Sequence, residues 1–304
     1  MEEASENNGL AMPDVAEDNI RTQMSHILEI LLLDRTNSTP KTSRNIIWAN
    51  DNYKEYDAVS YAATAQIRPE LITGKRSKLI MPRALKAAAL QKKRTKTKAE
   101  VFTPTWIVKK QNDVVEEDYT ADDLETYTHR KWLEITCGEA PYMATRYDMG
   151  TGEVVPLGER VGFVDRKLAR INREVTDKAE WQRLVGLAFQ ASYGFEWNGD
   201  SLLLARENLL YTYRDYYIDK WGDPPIYGLF KDIAKIISYN IFQMDGLTYT
   251  IPLSEKRERV QNYQLSLFDF DGPEKEEWTI VPGKRVKIMN WDTNKMEFFD
   301  RGIK

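Results

Sequence analysis

Apolar positions along this 304-residue chain change texture near residue 100. Beyond it, short apolar runs that stop at an acid alternate with longer stretches of helical spacing. "KWLEITCG" predicts a strand entering a turn, and "SYGFEWNGD" a second strand ending at Asn-Gly. "SLLLARENLLYTYRDYY" predicts a helix, with apolar residues at 202, 203, 209 and 210, and "KDIAKIISYNIFQMDGL" a helix running into a third strand. This alternation predicts an α/β fold. The long interval between the first two strands leaves room for a hairpin as well as a helix, and within it "VGFVDRKLARI" (161–171) imitates a strand with a terminal acid, Asp165. Residues 251–304 are charged and close on "WTIVPGKRVKIMNWDTNKMEFFD", which predicts an antiparallel pair.

Upstream, residues 1–19 are acidic, polar and poor in aromatics, the composition of a disordered tail. Residues 20–34 have helical apolar spacing, the following "STPKTSRNIIWANDNYKEYD" reads as irregular, and "RALKAAALQKKR" predicts a helix starting near Pro82. The expected organisation is a tail (1–19), a helical and basic region (20–99), an α/β core (100–250) and a C-terminal extension (251–304).

Charge and composition narrow the chemistry. With 42% hydrophobic and 30% charged residues the chain reads as soluble and globular. No apolar run approaches the roughly 20 residues that span a bilayer, and the N-terminus lacks the order of a signal peptide, so a cytoplasmic protein is expected. One cysteine and two histidines supply neither an internal disulfide nor a Cys/His metal cluster. The net charge of −4 argues against a protein that coats nucleic acid by bulk electrostatics, yet Lys75–Lys98 carries ten lysines and arginines with no acid. Within it Lys92, Lys93, Arg94, Lys96 and Lys98 are candidate phosphate contacts; a solvated surface helix is the plainer alternative.

In open α/β sheets, ligands bind beyond the carboxyl ends of the strands, where tight loops bring backbone amides close and strand-end acids can take a ribose. Four segments fit in order. Thr103-Pro104 precedes a helix, with proline at its first position. Glu134 ends the first strand, and Gly138 permits close approach in the next turn. Glu196 ends the second strand, and Asp245-Gly246 follows the third. Each has a bland alternative: an ordinary turn at Gly138, a helix-capping acid at Glu196, a hairpin turn at Asp-Gly.

Taken together the four resemble S-adenosylmethionine-dependent DNA adenine-N6 methyltransferases, particularly modification subunits of type I restriction systems and their single-chain relatives. "VFTP" at 101–104 is similar to the segment that closes over the methionine end of the cofactor. Glu134, Cys137, Gly138 and Tyr142 match the loop acid-Pro-x-Cys-Gly-x-Gly-x-Phe. "YGFEWNGDSLLLARENLL" is similar to the stretch whose acid binds the ribose, which assigns that role to Glu196, with Asp165 as the alternative acid. "QMDGL" resembles the segment whose Asp contacts the adenine amino group, which assigns Asp245. The resemblance covers about residues 100–250 and implies a Rossmann-like class I methyltransferase sheet with N- and C-terminal extensions, S-adenosylmethionine as cofactor, DNA as partner, and a restriction-modification or phage-defence setting.

The chain also departs from that family. Its loop lacks the proline after the acid, and Ala140 replaces the second glycine. The Asn/Asp-Pro-Pro-aromatic tetrapeptide, which polarises the target amino group and stacks on the extruded base, is missing after Asp245. "GDPPIY" (222–227) reads as a rigid turn between elements, which leaves Asn290 and Trp291 of "RVKIMNWD" as the catalytic candidates. Three functions follow: an adenine methyltransferase; a catalytically silent DNA-binding or assembly subunit, with target recognition or restriction carried by another chain; and a small-molecule or RNA methyltransferase.

Overall fold

The computed structural model of the protein describes residues 25–82, 103–259 and 278–301. Its centre is a parallel sheet of three strands in the order β1 (Trp132–Glu134), β2 (Ser192–Glu196), β3 (Ile241–Gln243). Glu134 pairs with Gly194, and Glu196 with Gln243. Parallel neighbours need long crossovers, and here these are helical. Between β1 and β2 run two helices, Phe163–Glu174 and Lys178–Gln190. Between β2 and β3 run two more, Gly199–Trp221 and Tyr227–Asn240. With Ser25–Leu32 (α1), Thr105–Glu116 (α2) and Leu124–His129 (α3) they are numbered α1 to α7 in chain order.

Each face of the sheet has its own cover. On one side the helices form the main core, and their apolar residues recur at helical spacing: Phe230, Ile233, Ala234 and Ile237 of α7, for example, are all buried. The opposite face sets Tyr193, Phe195, Phe242 and Met244 against Val286 and Ile288. Ile288 belongs to a hairpin of β6 (Lys287–Asn290) and β7 (Lys295–Phe298). Covered on both faces, β2 is buried along its whole length, as a central parallel strand should be. A second, exposed antiparallel pair joins β4 (Lys256–Arg259) to β5 (Trp278–Val281), so the terminal apolar runs split between two strand pairs.

The N-terminal region is tied into this core by polar side chains far away in sequence. Arg206 of α6, 1% exposed, donates to the carbonyls of Leu31, Leu33, Ser238 and Ile241. It therefore closes the C-terminal end of α1 against the start of β3, and burial lowers its pKa to about 9. Gln243 accepts from the N–H of Ile47 (2.9 Å) and donates to the carbonyls of Ile47 and Trp197 (both 2.8 Å). Gly199 is required where this segment crosses α6, because a Cβ there would lie 2.0 Å from the Ile47 carbonyl oxygen.

Two expectations need correction or placement. The stretch 161–171 is not a strand: α4 begins at Phe163, and Asp165 in its first turn accepts from the Gly162 N–H (3.2 Å), a helix-starting contact. The basic residues Lys92, Lys93, Arg94, Lys96 and Lys98 lie outside the described residues. No described helix is long and apolar enough to cross a membrane.

Candidate functional site

The three parallel strands bring Glu134, Glu196 and Asp245 to one edge of the sheet, its carboxyl end. After β1 the chain makes a tight loop in which Thr136, Gly138 and Ala140 all have positive φ (49°, 56° and 61°). Only the glycine adopts that conformation without steric cost. The loop is held from both strands. Glu134, buried, accepts from the backbone N–H groups of Tyr142 (3.2 Å) and Met143 (3.1 Å), closing the loop on itself. Glu196, also buried, accepts from the N–H of Gly138 (3.0 Å), fastening the loop to the end of β2. Cys137 donates its N–H to the Phe195 carbonyl (2.8 Å). Gly194 makes room beneath: a Cβ there would sit 2.3 Å from the Met143 methyl.

Burial sets the electrostatics. It pushes Glu134 up to about 8, opposed by the two backbone N–H groups and reinforced by the charge of Glu196. Glu196 is raised for the same first reason, against hydrogen bonds from Asn198 and Gly138. Burial also raises the Cys137 thiol well above its ordinary value, with both glutamates adding to it, so Cys137 is a packed thiol with no nucleophilic character. Glu196 Oε1 accepts from both the N–H (3.0 Å) and Nδ2 (3.1 Å) of Asn198, while among the described residues Oε2 accepts only from Gly138 and so retains a lone pair.

The other predicted residues surround this pair unequally. Asp245 follows β3 and is half-buried. Its carboxylate accepts from the Leu247 N–H and the Thr248 hydroxyl (both 2.8 Å), holding its own turn. Pro104 caps α2, half-buried Thr103 precedes it, and the Thr105 N–H donates to Asp148 (2.8 Å). Asn112 of α2 then donates to the carbonyls of Tyr142 (3.1 Å) and Val161 (3.0 Å), and the Tyr142 hydroxyl meets Gln111. The Thr-Pro helix is thus docked on the far side of the Cys-Gly loop.

Asp165 does not join them. It is buried in α4, bonded to Thr145 and Gly162, and burial lifts it to about 6. Asn290 and Trp291 lie at the opposite end of the sheet. The Asn290 side-chain Oδ1 accepts from the N–H groups of Asp292 (3.1 Å) and Thr293 (3.3 Å) to turn the β6–β7 hairpin. Trp291 donates to Asn240 (2.8 Å), the residue just before β3, and Asp292 pairs with Lys131, just before β1. Neither candidate reaches the loop.

Sequence reading missed the N-terminal contribution. Residues 48–53 run beside the end of β2: the Gly199 N–H donates to the Trp48 carbonyl (3.0 Å) and Trp197 Nε1 to that of Ala49 (2.8 Å). Asn50 Nδ2 reaches Asn198 Oδ1 (3.3 Å) and Asp200 Oδ1 (3.0 Å), and the Tyr53 hydroxyl donates to Asp200 (2.8 Å). The cue was faint: an Asn-Asp-Asn run inside an otherwise aromatic segment.

The arrangement places a carboxylate lone pair, a glycine-bearing loop and a second acid at the carboxyl end of the strands, the end at which open α/β sheets bind ligands. Among the described residues no group of three or more His, Cys, Asp or Glu side chains is placed to hold a metal ion. Comparison with protein-family models, with curated proteins and with solved structures returns no match to this chain.

Proposed function

We propose that the carboxyl end of the sheet binds S-adenosylmethionine and that the protein is a methyltransferase-type subunit of a restriction-modification system acting on DNA. The observation that carries this reading is the Gly138 N–H to Glu196 contact. It joins the Cys-Gly loop and the strand-end acid, two segments 58 residues apart that the family resemblance selects independently. Glu196 would accept the ribose hydroxyls through Oε2, Gly138 would let the backbone approach, Asp245 would accept from the adenine amino group, and Thr103-Pro104 would lie toward the methionine end. When bound, the cofactor supplies an electrophilic methyl carbon; the residues here bind and orient it.

A second reading, a catalytically silent binding or assembly subunit of the same type, is favoured by one observation. Asn290 and Trp291 are engaged at the other end of the sheet. Transfer to adenine N6 would then need a group from another chain.

Isothermal titration with S-adenosylmethionine tests the binding claim. Binding by the native chain that falls tenfold or more in Glu196→Gln is expected; no native binding, or equal affinity in the variant, overturns it. Transfer of labelled methyl to unmethylated DNA then separates the two readings.

A further inference from the structure

We propose that Asn50, in the N-terminal segment, is a positioning residue for the acid at the end of β2: it orients the Asn198 amide, and that amide turns the Glu196 carboxylate so that Oε2 faces the Gly138 loop. The proposal rests on the reading of Glu196 as the ligand acid, and it adds to the site a residue 148 positions before Asn198.

The Asn50 amide can stand only one way round. Its Oδ1 accepts from the Asn52 N–H (3.0 Å) and its Nδ2 donates to the Trp48 carbonyl (3.0 Å), two backbone groups of fixed polarity. Nδ2 is thereby turned toward Asn198 Oδ1 (3.3 Å) and Asp200 Oδ1 (3.0 Å). Its two hydrogens serve three acceptors, so the longest contact, to Asn198, sets polarity more than it adds strength. With its oxygen toward Asn50, Asn198 presents Nδ2 to Glu196 Oε1 (3.1 Å), and its own backbone N–H reaches the same oxygen (3.0 Å). Turned over, the Asn198 amide would set oxygen against oxygen at both of its ends. The two donors on Oε1 leave Oε2 to the Gly138 N–H (3.0 Å).

Glu196 depends on these donors. Burial raises its pKa, and the titratable groups that face it, Glu134 of β1, Cys137 of the loop and Asp200 of α6, are all acids. The opposing contributions come from the hydrogen bonds of Asn198 and Gly138. Closing a turn would need only the contacts of Asn50 with Trp48 and Asn52. Its further contacts reach Asn198 and Asp200, which act on Glu196 in opposite senses. The segment has other ties that hold it when Asn50 is changed: Gln243 bonds Ile47, the Trp48 carbonyl accepts from Gly199, and that of Ala49 from Trp197.

The test uses the full chain with isotope-labelled glutamate carboxyls, the Glu196 resonance being the one absent from Glu196→Gln. Asn50→Ser keeps an acceptor for the Asn52 N–H and removes the amide, and Asn198→Ala removes the relay. Each should raise the titration midpoint of Glu196 and weaken S-adenosylmethionine binding about fivefold or more. In the double variant neither effect should exceed that of Asn198→Ala alone, whereas a merely structural role for Asn50 would make the effects add. Circular dichroism checks the fold of each variant. An unmoved midpoint in either single variant, or shifts that add, overturns the proposal. The expected pattern of midpoints in a chain that binds no S-adenosylmethionine would uphold the positioning and overturn the cofactor reading alone.

Discussion

The two ends of the parallel sheet are built from similar residues and do opposite things. At the carboxyl end, loop N–H groups converge on Glu134 and Glu196, three alternate loop residues (136, 138 and 140) take left-handed conformations, and a distant segment, 46–50, is laid alongside. At the amino end, Asn240, Asn290, Trp291 and the Lys131–Asp292 pair bond to one another and close a hairpin. One end leaves a carboxylate oxygen with spare capacity beside strained backbone. The other uses its polar groups to hold the scaffold. An amide and an aromatic at a strand tip are therefore uninformative until it is known which tip they occupy.

The comparison can be broken by separating stability from binding. The largest effect is expected from Arg206→Met, which strands four carbonyls at the amino end, three of them in buried contacts. It should cost about 3–5 kcal/mol in urea unfolding and leave S-adenosylmethionine affinity unchanged in whatever fraction stays folded. Gln243→Leu comes next. Freeing the Ile47 N–H and two carbonyls should cost about 2–3 kcal/mol and accelerate amide exchange at Ile47.

The third prediction concerns pH. Glu134 is raised from 4.5 to about 8, so its favourable contribution is complete below pH 4.5 and is lost as pH rises through 8. Lys167, lowered by burial to about 7, acts oppositely, its penalty growing as pH falls. The difference between the wild type and Glu134→Gln isolates the carboxyl. Between pH 5 and 8.5 the wild type should lose about 2 kcal/mol relative to the variant, the full shift being discounted for local relaxation. A difference that grows in the other direction would mean that the loop amides hold Glu134 ionised. The smallest effect is Asn290→Ala, about 1 kcal/mol from the hairpin turn, with cofactor binding unchanged. Loss of methyl transfer without loss of stability in that variant would show both ends to be functional.

Much of the sheet was legible because its strands are short apolar runs that stop at acids, and a strand tip is where an acid can stay near water. The helices α6 and α7 were legible from spacing alone. The stretch 161–171 misled because Gly-Phe-Val resembles a strand start. Helix won through the Gly162–Asp165 contact and the buried series Phe163, Val164, Leu168 and Ile171, visible only over a window longer than the apparent strand. The N-terminal ties were not legible. Arg206 stands inside "LLLARENLL" and Gln243 inside "IFQMDG", polar residues in apolar runs, and nothing local names the carbonyls they serve.

Gln243 holds a residue 196 positions earlier in the chain. At synthesis rates of roughly 5–20 residues per second, Ile47 has been made about 10–40 s before its partner exists. The side chain that holds Ile47 against the end of the sheet is thus made only after α6 and α7 are complete, and a ribosome that stalls after α6 releases a chain whose first helix and proposed site are both unfinished.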